Sequence, residues 1–162
     1  MNGLVKASLS GAHGLFHLDG AINQGYLTLN SPFYAEVEAT PLLSESILQD
    51  LIPLLAGMTR ADDRLRIGID PEGFQMPIFN ISLNNIHVGH MSIELGNAYF
   101  DGYGQVANIL SLLKVIPSEE ISVWFTPIYL TIQDGYVHIE RFDMLAMERY
   151  PIAAWGLSLI HI

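Results

Sequence analysis

Histidine and carboxylate are the residue types in this chain that could do chemistry, since it carries six His and 17 acidic residues but no Cys. Without Cys there is no thiolate nucleophile, no thiolate metal site and no disulfide. His13 and His17 stand four apart, a spacing that lets two imidazoles share a metal on a helix. Their setting, with Gly11, Gly14 and the alternating Phe16-His17-Leu18, predicts a strand, where that chelating pair does not form. His87 and His90 bracket Val88-Gly89 and read as turn histidines. The acidic stretches Asp62-Asp63 and Ser118-Glu119-Glu120 adjoin turns, the setting of a solvated loop or helix start rather than of an acid/base pair. Gly102-Tyr103-Gly104 precedes a helical pattern, as an anion-binding loop would, yet lacks a following Lys and a preceding buried parallel strand. No Gly-x-Ser-x-Gly elbow, phosphate loop, dinucleotide fingerprint or His-Glu-x-x-His occurs. The expectation is a chain that is not an enzyme and uses neither metal nor cofactor.

Half of the 162 residues are hydrophobic and 15% are charged, against roughly 25% charged in an average soluble domain. Such a chain can bury a sizeable core and still leave apolar surface for a partner or a lipid. The net charge of −10 has the wrong sign for phosphate backbones, so no nucleic acid is expected as a partner. The longest strongly apolar run, Leu51 to Met58, falls far short of the ~20 residues of a membrane-spanning helix and contains Pro53 and Gly57. Leu157-Ser158-Leu159-Ile160-His161-Ile162 alternates up to its last residue without a turn, which we take as the mark of a segment of a longer protein. Its raw strand edge could pair with a second copy.

Period-two alternation dominates. Extended runs are expected at 16–20, 25–30, 33–39, 64–70, 78–87 and 90–100, the last two joined near Gly89. The clearest hairpin joins Ile128–Ile132 to Tyr136–Glu140 through Gln133-Asp134-Gly135, with a last strand from Ile152 to Ile162 completing a meander. Two stretches switch to helical spacing. After Thr40-Pro41, an N-cap with Pro at the first helical position, Ile47, Leu48, Leu51, Ile52 and Leu55 recur on one face until Pro53 kinks or restarts the helix. The second stretch, Gln105 to Val115, aligns Val106, Ile109, Leu110 and Leu113.

In Val123-Trp124-Phe125-Thr126-Pro127-Ile128-Tyr129-Leu130 both strand faces are bulky, so something must cover the second face. Trp124, Phe125, Ile128, Leu130 and Trp155 are the candidates for lining a lipid groove, unless they form an ordinary sheet–helix core. The polar cluster of Glu140, Arg141, Asp143, Glu148 and Arg149 reads as cross-strand ion pairs.

The run Thr126 to Leu145, with its Asp-Gly turn and Arg141-Phe142-Asp143, followed by Tyr150 to Leu159, resembles the carboxy-terminal repeat of AsmA-like proteins. Ala39-Thr40-Pro41-Leu42-Leu43-Ser44, Ile52-Pro53-Leu54-Leu55 and Ile93-Glu94-Leu95-Gly96-Asn97 are similar to further segments of long members of that group. The likeness runs patchily over residues 33 to 162 and departs from the family at Ser158, where Asp is common. The resemblance implies one domain over residues 1–162 of a large bacterial envelope protein. The residues themselves, with no linker or low-complexity run between the strands and the two one-sided helical stretches, read as one α+β domain, a largely antiparallel β-sheet with two amphipathic helices packed on one face. The resemblance adds that the sheet is curved. It further implies a periplasmic location, attachment to the inner membrane through a segment outside this one, and a part in lipid transport or outer-membrane maintenance. The ligand would be a phospholipid or acyl chain, and no catalytic residue carries over. The alternative is a structural or protein-interaction segment without lipid.

Overall fold

The computed structural model describes residues 2–116 and 119–159. Among these, thirteen strands form one antiparallel sheet: β1 (Gly3–Gly11), β2 (Gly14–Asn23), β3 (Tyr26–Leu29), β4 (Phe33–Val37), β5 (Met58–Ala61), β6 (Leu65–Ile69), β7 (Met76–Pro77), β8 (Val88–Glu94), β9 (Asn97–Asp101), β10 (Glu120–Phe125), β11 (Ile128–Gln133), β12 (Tyr136–Ala146) and β13 (Tyr150–Leu159). The strand order simplifies once the interruptions are recognised. β3 and β4 both run antiparallel to β2, β5 and β6 to β9 and β8, and β10 and β11 to β12. Each of these pairs, and β8 with β9, is one long strand broken by two or three residues. Taken as units, the long strands lie side by side in chain order, so the sheet is an up-and-down meander in which each strand pairs with the next.

Three of the four interruptions align. Residues 62–64, Leu95-Gly96 and Thr126-Pro127 lie opposite one another, and the register between β12 and β13 shifts between Ile139 and Phe142. Pro127 has no N–H to give a ladder, and the chain is stitched across the break by other bonds. Phe125 N–H donates to Gly96 O at 2.8 Å, while Thr126 N–H donates to Asp143 O at 2.9 Å and Asp143 N–H to the Thr126 hydroxyl at 2.9 Å. Breaks of this kind are where strands bend.

The β11–β12 hairpin has the expected tip, with Asp134 at φ 53° and Gly135 at φ 79°, the double positive φ of a two-residue turn that follows the sheet twist. β13 runs from Tyr150 to Leu159; residues 160–162 of the expected last strand lie outside the described residues. The stretch Ile78 to His87, expected as a strand, is not one. Only Met76–Pro77 pairs with β3, Asn80 takes φ 52°, and Leu83–Asn85 is a 3₁₀ turn. Asn at positions 80, 84 and 85 offers local side-chain bonding that competes with a ladder. Gly89 lies inside β8 rather than in a turn, because the 72–73 turn crosses it so closely that a Cβ there would meet Glu72 O at 2.5 Å.

The helical segment over residues 41–51 starts as predicted: the Thr40 hydroxyl accepts from Leu43 N–H at 3.3 Å and Pro41 follows. Its middle turn, Ser44–Leu48, is widened to a π turn by the Gln49 N–H bond to Ser44 O. Ile52 is extended, and Pro53–Leu55 restarts as a 3₁₀ turn, so Pro53 does end the helix. The Ser44 hydroxyl, fully buried, donates to Leu55 O at 2.7 Å and ties the two pieces together. The second helix, Gln105–Leu112, contacts the 53–55 turn. Leu48, Leu51, Ile52, Leu55 and Leu110 are buried as expected, whereas Ile47 and Leu113 are about half exposed. Ile47 and Leu48 are neighbours, about 100° apart around a helix, and one narrow face takes only one of them. Leu113 follows the last helical residue, where the chain turns through Lys114 at φ 60°.

Candidate functional site

The polar candidates disperse over the sheet face away from the helices and over its turns. His13 sits exposed in the β1–β2 turn with Nδ1 3.0 Å from Glu38 Oε2. His17 lies on β2 between Ser8 and Tyr34, and the His90 ring stacks on Tyr129 at 5.4 Å. Asp62 accepts from Asn97 Nδ2 at 2.7 Å and from the Tyr99 hydroxyl at 3.2 Å. Glu120 forms a two-pronged bond with Arg60, whose guanidinium lies 3.4 Å over the Tyr99 ring. Ser118, beside Glu119, lies outside the described residues. The Gly102-Tyr103-Gly104 turn is satisfied internally: Asp101 Oδ1 accepts Tyr103 N–H at 3.1 Å, so a fixed negative charge stands where an anion would bind. Arg141 and Asp143 pair at 3.1 Å along β12. The Arg141–Asp143 pair runs along one strand rather than across two, unlike the cross-strand pairs expected there, whereas the Arg60–Glu120 and Asp62–Asn97 contacts form ladders across strands, the arrangement of a solvated sheet face.

Two carboxylates in the ladders are shifted. Asp19 is held below the ordinary carboxylate range chiefly by the hydrogen bond from Lys6, 2.9 Å away, and then by that from Asn30. Glu36 is lowered first by the Tyr34 hydroxyl that donates to it and, in part, by Arg66 at 3.2 Å. The same bond raises the Tyr34 phenol. Glu36, Arg66 and Glu94 are direct cross-strand neighbours, so alternating charge along the ladder accounts for the pattern without any catalytic role.

The opposite face of the sheet is apolar, and it divides in two. Over β5, β9 and β10 it is filled: Leu48, Leu55, Phe100, Leu110, Ile121 and Val123 are 2% exposed or less, and Phe100, Phe125 and Phe142 follow one another at 5.9 and 6.2 Å. Toward β2, β3 and β6 the covering elements stop short and leave a cavity of about 420 Å³. Its strand side is formed by Phe16 and Leu18 of β2, Leu27 and Leu29 of β3, and Phe33 of β4, with Ile69, Val88, Met91 and Ile132 from the strands beyond. Phe74, Met76 and Ile86 from the 70–87 connection close another side, and Leu51 of the helical segment completes it. Every lining side chain is apolar. Phe16 and Phe33 meet edge to face at 5.4 Å and, like Met76 and Ile86, are only partly buried, which places the opening on their side.

The five groove candidates do not come together at this cavity. Phe125, Ile128 and Leu130 are buried in the filled core at 2% exposure or less. Trp124 (49% exposed) and Trp155 (70%) point from β10 and β13 to the solvated face. The residues that do line it include Phe16-x-Leu18 and Leu27-x-Leu29, whose alternation was visible but is the pattern of any half-buried strand. The volume lies within the range of small-molecule pockets, and the lining offers no acid, base or nucleophile and no His or carboxylate to ligate a metal. Such a lining excludes water and offers no hydrogen bond.

Among the described residues no helix is long and apolar enough to cross a membrane. Comparison of the chain with protein-family models, curated proteins and solved structures gives no match.

Proposed function

We propose that this chain is a non-enzymatic segment of an AsmA-like envelope protein that holds the acyl chain of a lipid on the apolar face of its sheet, as a step in lipid transport or outer-membrane maintenance. The observation that carries this reading is the 420 Å³ cavity with a wholly apolar lining on an otherwise closely packed face. Packed interiors leave few voids larger than a water molecule, and a polar ligand placed here would lose its hydrogen bonds at a cost of roughly 1–3 kcal/mol each. An acyl chain loses none. The meander supports the same reading, since it stays open along the outer edges of β1 and β13 and could continue into further strands of a longer sheet. Curvature at the aligned breaks would make that sheet a groove. In this reading the protein faces the periplasm and is held at the inner membrane by a segment outside this one.

The test is native mass spectrometry of the chain purified without detergent from a Gram-negative host. The expected result is a bound lipid that is lost from Phe33→Glu while the circular dichroism spectrum is retained, because Phe33 is only partly buried at the opening. A folded wild type that never carries lipid overturns the reading.

The second reading, a structural or interaction segment, is favoured by the exposed Trp155 and Leu157 on β13, beside an unpaired edge. It predicts strand pairing between copies, seen as concentration-dependent dimers by analytical ultracentrifugation and abolished by Trp155→Lys with Leu157→Lys.

A further inference from the structure

We infer that Leu51 sets the length of the acyl chain that the cavity accepts, an inference that rests on the acyl-binding reading above. Among the described residues, Leu51 is the one cavity-lining side chain that comes from a helical segment. Its neighbours Leu48 and Ile52 are at most 1% exposed, do not line the cavity, and belong to the filled core. The boundary between hollow and filled space therefore falls at this side chain. Phe16, Phe33, Met76 and Ile86 are among the partly buried residues of the open side, whereas Leu51, 6% exposed, belongs to the closed walls and is the wall that backs directly onto the filled core.

Volume gives the scale. An apolar cavity of about 150 Å³ takes a benzene ring, or about 25 Å³ per carbon, so 420 Å³ corresponds to a single chain of ~17 carbons. Because no polar side chain lines the cavity, the headgroup stays at the opening and contributes little selectivity. Discrimination between ligands then falls to length, and a chain that reaches the Leu51 wall must displace packed core to go further. Each added methylene that finds space gains about 0.8 kcal/mol, about fourfold in affinity; one that meets the wall gains nothing.

The experiment measures binding of a series of saturated fatty acids bracketing this length, by displacement of a fluorescent fatty acid from the full chain. In the wild type, affinity is expected to rise about fourfold per methylene and level off near ~17 carbons. Leu51→Ala removes three carbons from the wall and is expected to move the plateau about three carbons longer. Leu51→Phe moves it shorter and reads the same wall should Leu51→Ala unfold. Saturable binding with the same plateau in wild type and in either folded variant overturns the assignment of Leu51 while leaving acyl binding standing. No binding of any fatty acid by folded wild type overturns the acyl-binding reading itself.

Discussion

The two halves of the apolar sheet face are built from the same kind of strand and end in different states. Over β5, β9 and β10 the side chains of residues 48, 52, 55 and 110 descend into the sheet, and Phe100, Ile121 and Val123 beneath them are sealed. Over β2, β3, β4 and β6 the cover is a 70–87 connection with little regular structure, and Phe16, Leu18, Phe33 and Ile69 remain partly exposed around a void. Both halves present small and large apolar side chains on this face, Met58, Ala98 and Phe100 in one and Phe16, Leu18 and Ala35 in the other. An apolar strand face is thus a demand for cover, and how far that cover is complete is decided by what the connections supply.

That contrast is sharpest for a charge placed in the filled half. Leu130→Asp puts an unpaired carboxylate at a fully buried position, and the expected cost exceeds about 4 kcal/mol. The variant should show no cooperative thermal transition by circular dichroism. A folded Leu130→Asp would mean that the core around β11 is as loose as the cavity.

Truncating an aromatic in each half compares them directly. Phe100→Ala, from a site 1% exposed, should cost about 3–5 kcal/mol in a urea titration, against about 1–2 kcal/mol for Phe33→Ala beside the void. Equal losses would mean that the void closes in solution. Adding a methylene should separate the halves in sign. Val88→Ile grows into the cavity and is expected to be neutral or to stabilise by up to about 1 kcal/mol. Val123→Ile, at 0% exposure in the filled core, should destabilise by about 1–3 kcal/mol.

The smallest effect concerns the charged ladders on the other face of the hollow half. Asp19 and Glu36 have folded pKa values below their unfolded ones, so the stability they add is complete above the unfolded value of about 4 and disappears as pH falls through the lower folded value. Asp19→Asn and Glu36→Gln should therefore lower the melting temperature slightly at neutral pH, with the difference from wild type vanishing in acid. A difference that persists in acid would place the effect in packing rather than in charge.

Much of this architecture was legible in the residues. Asp134-Gly135 announced a two-residue hairpin because few other dipeptides tolerate two positive φ values, and Thr40-Pro41 announced a helix start because both residues satisfy or omit the donors that a helix leaves bare. Alternation marked most of the strands. It failed over 78–87, where Asn80 takes positive φ and Leu83–Asn85 forms a 3₁₀ turn, and at Gly89, whose missing side chain serves a close approach from residue 72 that no local pattern reveals.

The candidate site was not legible to the same degree. Bulk on both faces of residues 123–130 pointed to Trp124, Phe125, Ile128, Leu130 and Trp155, yet the folded chain buries three of them in its core and turns two toward water. By itself the sequence determined which side chains share a face, because strand and helix periodicities are local geometry. What lies opposite that face was settled only in three dimensions, because the cover arrives from connections remote in sequence from the strands beneath. Leu51 reaches the cavity from a helix that begins after β4, and Phe74 and Met76 reach it across β3. Hydrophobic attraction has no direction and names no partner, so an apolar face is equally well satisfied by any apolar cover, and only the path of the chain between strands decides where that cover ends and a void begins.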